Sequence, residues 1–194
     1  MLLKYSHPAV KGISKYFDIA YFLRFVLLFV ALYYFHIIFN GITSREGNYY
    51  SPFLDQYLNY IRWLTLSILK MAQLIIRLFG VDAYIEGSQV LKSASGLGVN
   101  LWLPCLGLGI TSFWIAFIAF QAIPVTKKIY WCLSGICAIW FINCWRIALL
   151  LLSLENDWKA NPYLDHHDIF NIAAYGVVIA LIILCNRTEK RYES

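Results

Sequence analysis

Residues 105–150 read CLGLGITSFWIAFIAFQAIPVTKKIYWCLSGICAIWFINCWRIALL. This stretch holds two apolar runs, 105–124 and 129–150, each near the roughly 20 residues that a membrane-spanning helix needs. Only Pro124-Val125-Thr126-Lys127-Lys128 separates them, which predicts an antiparallel helical hairpin. Such spans must be helical, because a bilayer offers no water to unpaired backbone groups.

The composition of the whole chain points to a membrane protein. Of its 194 residues, 60% are hydrophobic and 14% are charged, whereas soluble domains are about 45–50% apolar and about 25% charged. Two further runs, roughly 19–39 and 168–185, are also long enough to span. We therefore expect an all-α fold: a polytopic helical bundle of about four transmembrane helices, forming a single membrane domain over 1–194.

The stretch 57–79 has a different pattern. Its polar residues fall within about 80° of one another on a helical wheel at 100° per residue; they are Arg62, Lys70, Gln73 and Arg77. A narrow polar stripe with leucine, isoleucine and tryptophan elsewhere predicts an amphipathic helix. We expect it to lie in the membrane interface or to turn its stripe inward, and whether it spans is left open.

The loop charges predict the orientation. Basic residues flank one side of the predicted spans: Lys4, Lys11, Lys15, Lys127, Lys128, Arg187, Lys190 and Arg191. Acidic residues dominate the other side: Glu46, Asp55, Asp82, Glu86, Glu155, Asp157, Asp165 and Asp168. The positive-inside rule then makes 1–18 and 186–194 cytoplasmic tails and 80–104 an outer loop.

Two further expectations follow from these flanks. The first 18 residues lack a short apolar core before a small-residue cleavage site, so the first run is expected to remain as a membrane anchor. The net charge of +5 is accounted for by the basic residues beside the spans. No nucleic-acid partner is expected, and the lipid bilayer is the expected surroundings.

Three reactive side chains are predicted at one depth. At about 1.5 Å per helical residue from the nearest cytoplasmic anchors, Cys105 lies about 33 Å up, Arg146 about 27 Å and His167 about 30 Å. A charged residue inside a span is costly and is often functional. Asn143 lies three positions before Arg146, on the same helix face.

These three side chains suit acyl transfer through a thioester. A thiolate is the competent nucleophile, and a nearby cation favours it. An imidazole can take the thiol proton and later pass one to the leaving amine. An arginine beside the reacting carbonyl can stabilise the developing oxyanion. Predicted heights alone do not show that the three side chains meet.

The motifs around these residues resemble those of the exosortase and archaeosortase family. The resemblance covers roughly 80–185 and rests on three motifs in matching order: Cys105-Leu106-Gly107, Asn143-Cys144-Trp145-Arg146 and His167-Asp168-Ile169. It implies a nucleophile at Cys105, a transition-state stabiliser at Arg146 and a proton-transfer residue at His167. Gly107, Asn143, Trp145 and His166 are the expected substrate-binding or supporting residues, and His166 remains an alternative to His167.

The resemblance also implies a function. Members of the family are polytopic membrane proteins proposed to cut a C-terminal sorting tail and transfer the protein to an acceptor. The expected partners are exported proteins with a C-terminal motif, a transmembrane helix and a basic tail, together with an unknown acceptor. The chain departs from the family in having Leu106 where the usual pattern has serine, and in having fewer spans before the cysteine. A multi-pass protein of the cell inner (cytoplasmic) membrane is implied, with both termini cytoplasmic and the active site on the outer face.

Other readings of the same residues stay open. The remaining cysteines are expected to pack as small hydrophobes; they are Cys132, Cys137, Cys144 and Cys185. Adjacent histidines on a helix point about 100° apart, so no metal site and no cofactor are expected. His7 and His36 are interpreted as incidental. The alternative function is a non-enzymatic membrane subunit of a polysaccharide or protein export assembly, and a transporter is a weaker one.

Overall fold

The structure is a computed structural model that describes residues 19–156, except 46 and 48, and residues 166–193; side chains are described outside 166–171 and 189–193. The helices are α1 (Ile19–Thr43), α2 (Pro52–Tyr57), α3 (Tyr60–Leu78), α4 (Leu108–Ala119), α5 (Val125–Glu155) and α6 (His166–Glu193). The strands are β1 (Ala83–Glu86), β2 (Val90–Ser93) and β3 (Gly98–Asn100). The predicted tail 1–18 lies outside the described residues, while 186–193 continues α6 as helix.

The fold is mostly helical, and two helices of the described part could cross a membrane. By length and composition these are α1 and α5. The other two predicted spans are not among them: α4 has only 12 residues, and in α6 the side chains are described only over Ile172–Thr188. Four crossings therefore stay a prediction.

The second predicted span begins later and ends earlier than its apolar run. A 3₁₀ turn over Leu103–Leu106 comes first, and Gly107 at φ +72° breaks the chain before α4. At the other end, α4 stops at Ala119, and Phe120 caps it. At about 1.5 Å per residue, α4 is only about 18 Å long. The prediction of one apolar helix from 105 to 124 is thus wrong, and Cys105 lies in a turn.

The predicted hairpin of α4 and α5 is present. Lys128, in the first turn of α5, donates from Nζ to the carbonyl of Ala119 at 2.7 Å. Further along, Trp114 donates from Nε1 to the carbonyl of Trp131 at 3.0 Å. Positions 119 and 128, then 114 and 131, show that the two helices run antiparallel.

Gly135 allows α4 to lie close to α5. A Cβ at this position would collide with the indole of Trp114, which is fully buried. We expect Gly135→Ala to lower the free energy of unfolding by about 1–3 kcal/mol, the usual cost of overpacking. Thermal unfolding of the detergent-purified protein, followed by circular dichroism, measures the change.

The matched control is Gly176→Ala in α6. A Cβ there meets no described atom within 4 Å, so the variant should be as stable as the wild type or slightly more stable, since alanine favours helix. Equal melting temperatures for both variants would contradict the close contact of α4 and α5.

The predicted amphipathic helix is α3. Its apolar face is buried, with Ile68, Leu69, Ala72 and Ile76 at 0% exposure. Arg62, Lys70 and Arg77 of the predicted stripe are exposed, and Gln73 donates to the carbonyl of Ala83 at 2.7 Å. The stripe therefore faces away from α5, against which the apolar face packs.

Within the predicted outer loop 80–104, the chain forms a three-stranded antiparallel sheet in the order β1-β2-β3. The all-α prediction missed this sheet, whose longest strands have only four residues. Leu91 and Val99 share a buried cluster with Leu151 and Leu152 of α5, and Ser95 donates to Glu155 at 2.5 Å. The sheet thus covers the last turns of α5 and fixes the chain that leads to Cys105.

Candidate functional site

Cys105 lies in the 3₁₀ turn that precedes α4. Pro104 stands in the first positions of this turn, and the Cys105 amide donates to the carbonyl of Trp102 at 2.8 Å. Gly107 then adopts φ +72°, a left-handed conformation that residues with a side chain rarely take. The turn holds Cys105 outside regular helix, partly buried at the edge of the core.

Arg146 of α5 reaches the sulfur of Cys105. Its Nη2 donates to the Cys105 Sγ at 3.6 Å, across 41 residues of chain. Arg146 is 8% exposed, so its charge is buried within the fold beside the thiol. The structure thus brings together two of the three predicted reactive residues.

Asn143 ties α5 to the same turn. It is buried, and its Nδ2 donates to the carbonyl of Leu106 at 3.4 Å. A Cβ at position 107 would collide with this Nδ2. Gly107 is therefore required twice, by its backbone conformation and by its contact with Asn143, and any side chain there would push the turn away from α5.

A cavity of about 920 Å³ adjoins this turn. Most of its wall is apolar and comes from α1, α4 and α6, while Gly107, Asn143 and Arg146 contribute a polar part. Its volume lies near the upper end of the range for small-molecule sites. Cys105 is not among the lining residues, although Arg146, which contacts its sulfur, is.

The other predicted site residues are placed differently. The side chains of His166 and His167 lie outside the described residues, so their predicted roles stay predictions; their backbone forms the first turn of α6. Trp145 is 36% exposed and contacts Phe79 and Phe141 on another face of α5. It does not line the cavity, because one residue along a helix turns the side chain by about 100°.

One histidine that was interpreted as incidental from the sequence is a cavity residue. His36 of α1 lines the same cavity as Gly107 and Arg146. Its Nδ1 lies 2.7 Å from the hydroxyl of Tyr60, and its buried Nε2 has no hydrogen-bond partner among the described residues. The available signal was a polar residue inside an apolar run, which is costly and often functional in a membrane.

The described residues contain no group of three or more histidine, cysteine, aspartate or glutamate side chains able to hold a metal ion. Among the described residues, no two cysteines are joined by a disulfide. Comparison of the chain with protein-family models, curated proteins and solved structures gives no match in any of the three.

Proposed function

We propose that the chain is a membrane cysteine transpeptidase or protease that cuts the C-terminal tail of exported proteins. The observation that carries this proposal is the contact between Arg146 and the sulfur of Cys105. A buried arginine beside a thiol can hydrogen-bond to the thiolate, which is the nucleophilic form of cysteine. The ordered motifs around Cys105, Arg146 and His167, which resemble those of exosortases and archaeosortases, supply the substrate class.

In the proposed reaction, the Cys105 thiolate attacks a peptide carbonyl to give a tetrahedral intermediate. Its collapse breaks the C–N bond, which releases the tail as an amine and leaves a thioester on Cys105. Arg146 stabilises the oxyanion of the tetrahedral intermediate. Water or an amine acceptor then cleaves the thioester and regenerates the thiol. His167 is the proposed proton carrier, taking the thiol proton and delivering one to the leaving amine.

The helical spacing of α6 supports position 167 over position 166. Ala174 and Val178 line the cavity, and they follow position 167 by 7 and 11 residues. Both spacings return to within about 20° of the same helix face at 100° per residue. Position 166 is offset from that face by about 100°.

The proposed placement in the membrane follows from the length of α5. Its 31 residues extend about 46 Å, more than the roughly 30 Å of a hydrocarbon core. With Lys127 and Lys128 at the cytoplasmic boundary, Arg146 falls near the outer boundary and the last turns of α5 project beyond it. The sheet packed on those turns would then lie outside an inner membrane, with four crossings and both termini cytoplasmic.

A non-enzymatic subunit of a polysaccharide or protein export assembly is the second candidate. It is favoured by one observation: the cavity is lined by Arg146 but not by Cys105. In that function Arg146 would pair with an acidic residue of a partner, and the thiol would serve only packing.

The test compares cells that carry the gene with cells from which it has been deleted. Mass spectrometry of surface and secreted proteins reads their C-termini. We expect a set of exported proteins to retain a tail of motif, apolar helix and basic end only in the deleted cells. Identical C-termini in both, with the protein demonstrably present in the first, would overturn the enzyme function in favour of the assembly subunit.

A further inference from the structure

The packing of α1 on α4 places His36 beside the Cys105 turn. The two helices run antiparallel: Tyr21 contacts Phe120 at 6.0 Å between ring centroids, and Phe25 contacts Phe113 at 5.5 Å. Farther along, the ring of Tyr33 lies over Gly109. One helical turn later, His36 is therefore level with the turn that carries Cys105.

Tyr60 fixes the ring of His36. The hydroxyl of Tyr60 lies 2.7 Å from Nδ1, and the Tyr60 ring packs against Phe39 at 4.6 Å between centroids. Tyr60 is itself placed by the start of α3, where Asn59 accepts a hydrogen bond from the Arg62 amide at 2.9 Å. The imidazole is thus held from a helix 24 residues away in the chain.

The other ring nitrogen of His36 is unsatisfied. Its Nε2 is buried and has no hydrogen-bond partner within the described part of the chain, although His36 lines the cavity that also contains Asn143 and Arg146. A buried polar atom without a partner costs free energy. Both tautomers carry this cost: a protonated Nε2 lacks an acceptor, and an unprotonated Nε2 lacks a donor. A group that is oriented on one side and unpaired on the other is suited to bind a ligand.

We propose that His36, held by Tyr60, is a substrate-binding residue whose Nε2 hydrogen-bonds a backbone polar atom of the peptide that lies beside Cys105. The inference rests on the proposed function, because that function supplies the peptide. An extended peptide offers a carbonyl or an amide at every residue, so it can satisfy either tautomer. Arg146 and Asn143 then contact the peptide from α5, while His36 contacts it from α1.

Two substitutions at position 36 test the roles of Nδ1 and Nε2 one at a time. In His36→Asn the amide takes the place of Nδ1, which keeps the Tyr60 contact and removes the group at Nε2. In His36→Gln the longer amide reaches the place of Nε2. Tyr60→Phe keeps the aromatic packing and removes only the hydroxyl. Cys105→Ala serves as the reference for complete loss of tail removal.

The experiment measures tail removal from exported proteins in cells with matched membrane levels of each variant, and the melting temperature of each purified protein. We expect His36→Asn to slow processing about tenfold with a melting temperature equal to or above that of the wild type. His36→Gln should retain more activity than His36→Asn, and Tyr60→Phe should slow processing a few-fold.

Each of the other outcomes overturns either the inference about His36 or the proposed function. Normal processing by His36→Asn, with processing blocked in Cys105→Ala, overturns the inference and leaves the proposed function standing. The inference also falls if the loss in His36→Asn only follows a lowered melting temperature, or if His36→Gln is no better than His36→Asn. Normal processing by Cys105→Ala overturns the proposed function, and the inference with it.

Discussion

Cells that carry Cys105→Ala in place of the wild-type protein are expected to accumulate exported proteins with uncut C-terminal tails. The expected loss is complete within detection, because alanine offers no nucleophile and no thioester can form. Cys105→Ser should be nearly as inactive, since a hydroxyl is a much weaker nucleophile than a thiolate unless a base activates it. The measurement is mass spectrometry of C-termini at matched membrane levels of each variant.

Cys137→Ala is the control for this prediction. Cys137 is an exposed thiol on α5, so its loss removes a cysteine without disturbing the core or the turn. It should process tails as the wild type does. If Cys105→Ser and Cys137→Ala behave alike and both process normally, Cys105 is a packing residue, and the export-assembly function becomes the better proposal.

The proximity of Cys105 and Arg146 was within reach of the sequence because helical rise is fixed. Counting residues from Lys127 and Lys128 placed both side chains near one height. The positive φ of Gly107 makes α4 begin only after Cys105, yet Arg146 still contacts the Cys105 sulfur, so the error in the span does not remove the contact. Residue counting could not predict the contact itself, because the contact depends on which face of α5 turns toward Cys105.

Other parts of the structure have weaker signals in the sequence. The strands are short, and their register depends on turns at Gly87 and Gly96, both at positive φ, so alternation over three or four residues was too brief to predict a sheet within the outer loop. The pairing of His36 with Tyr60 joins α1 to α3, and no periodic pattern within either helix reveals a contact between two helices. Trp145 contacts Phe79 and does not line the cavity. This placement likewise depends on which side of α5 packs against α3.

Arg146→Gln is expected to slow tail removal by about 10²–10³-fold, the usual cost of losing one donor to a developing oxyanion. Arg146→Lys should also be impaired, because an ammonium keeps the charge but lacks the planar fork of the guanidinium. The matched control is Arg77→Gln, which makes the same change at an exposed arginine of the α3 stripe. It should leave processing unchanged.

A second readout tests the contact between Arg146 and Cys105 without any substrate. In a background of Cys132→Ala and Cys137→Ala, the only thiol left outside the fully packed core is Cys105, because Cys144 and Cys185 are buried. Alkylation by iodoacetamide requires the thiolate, so at a fixed pH Arg146→Gln should be labelled more slowly than the parent, while Arg77→Gln should match the parent. If Arg146→Gln slows tail removal but leaves the labelling rate of Cys105 unchanged, Arg146 acts only by stabilising the oxyanion. Unchanged rates in both assays would contradict a catalytic role for the arginine and would favour its pairing with a partner protein in the membrane.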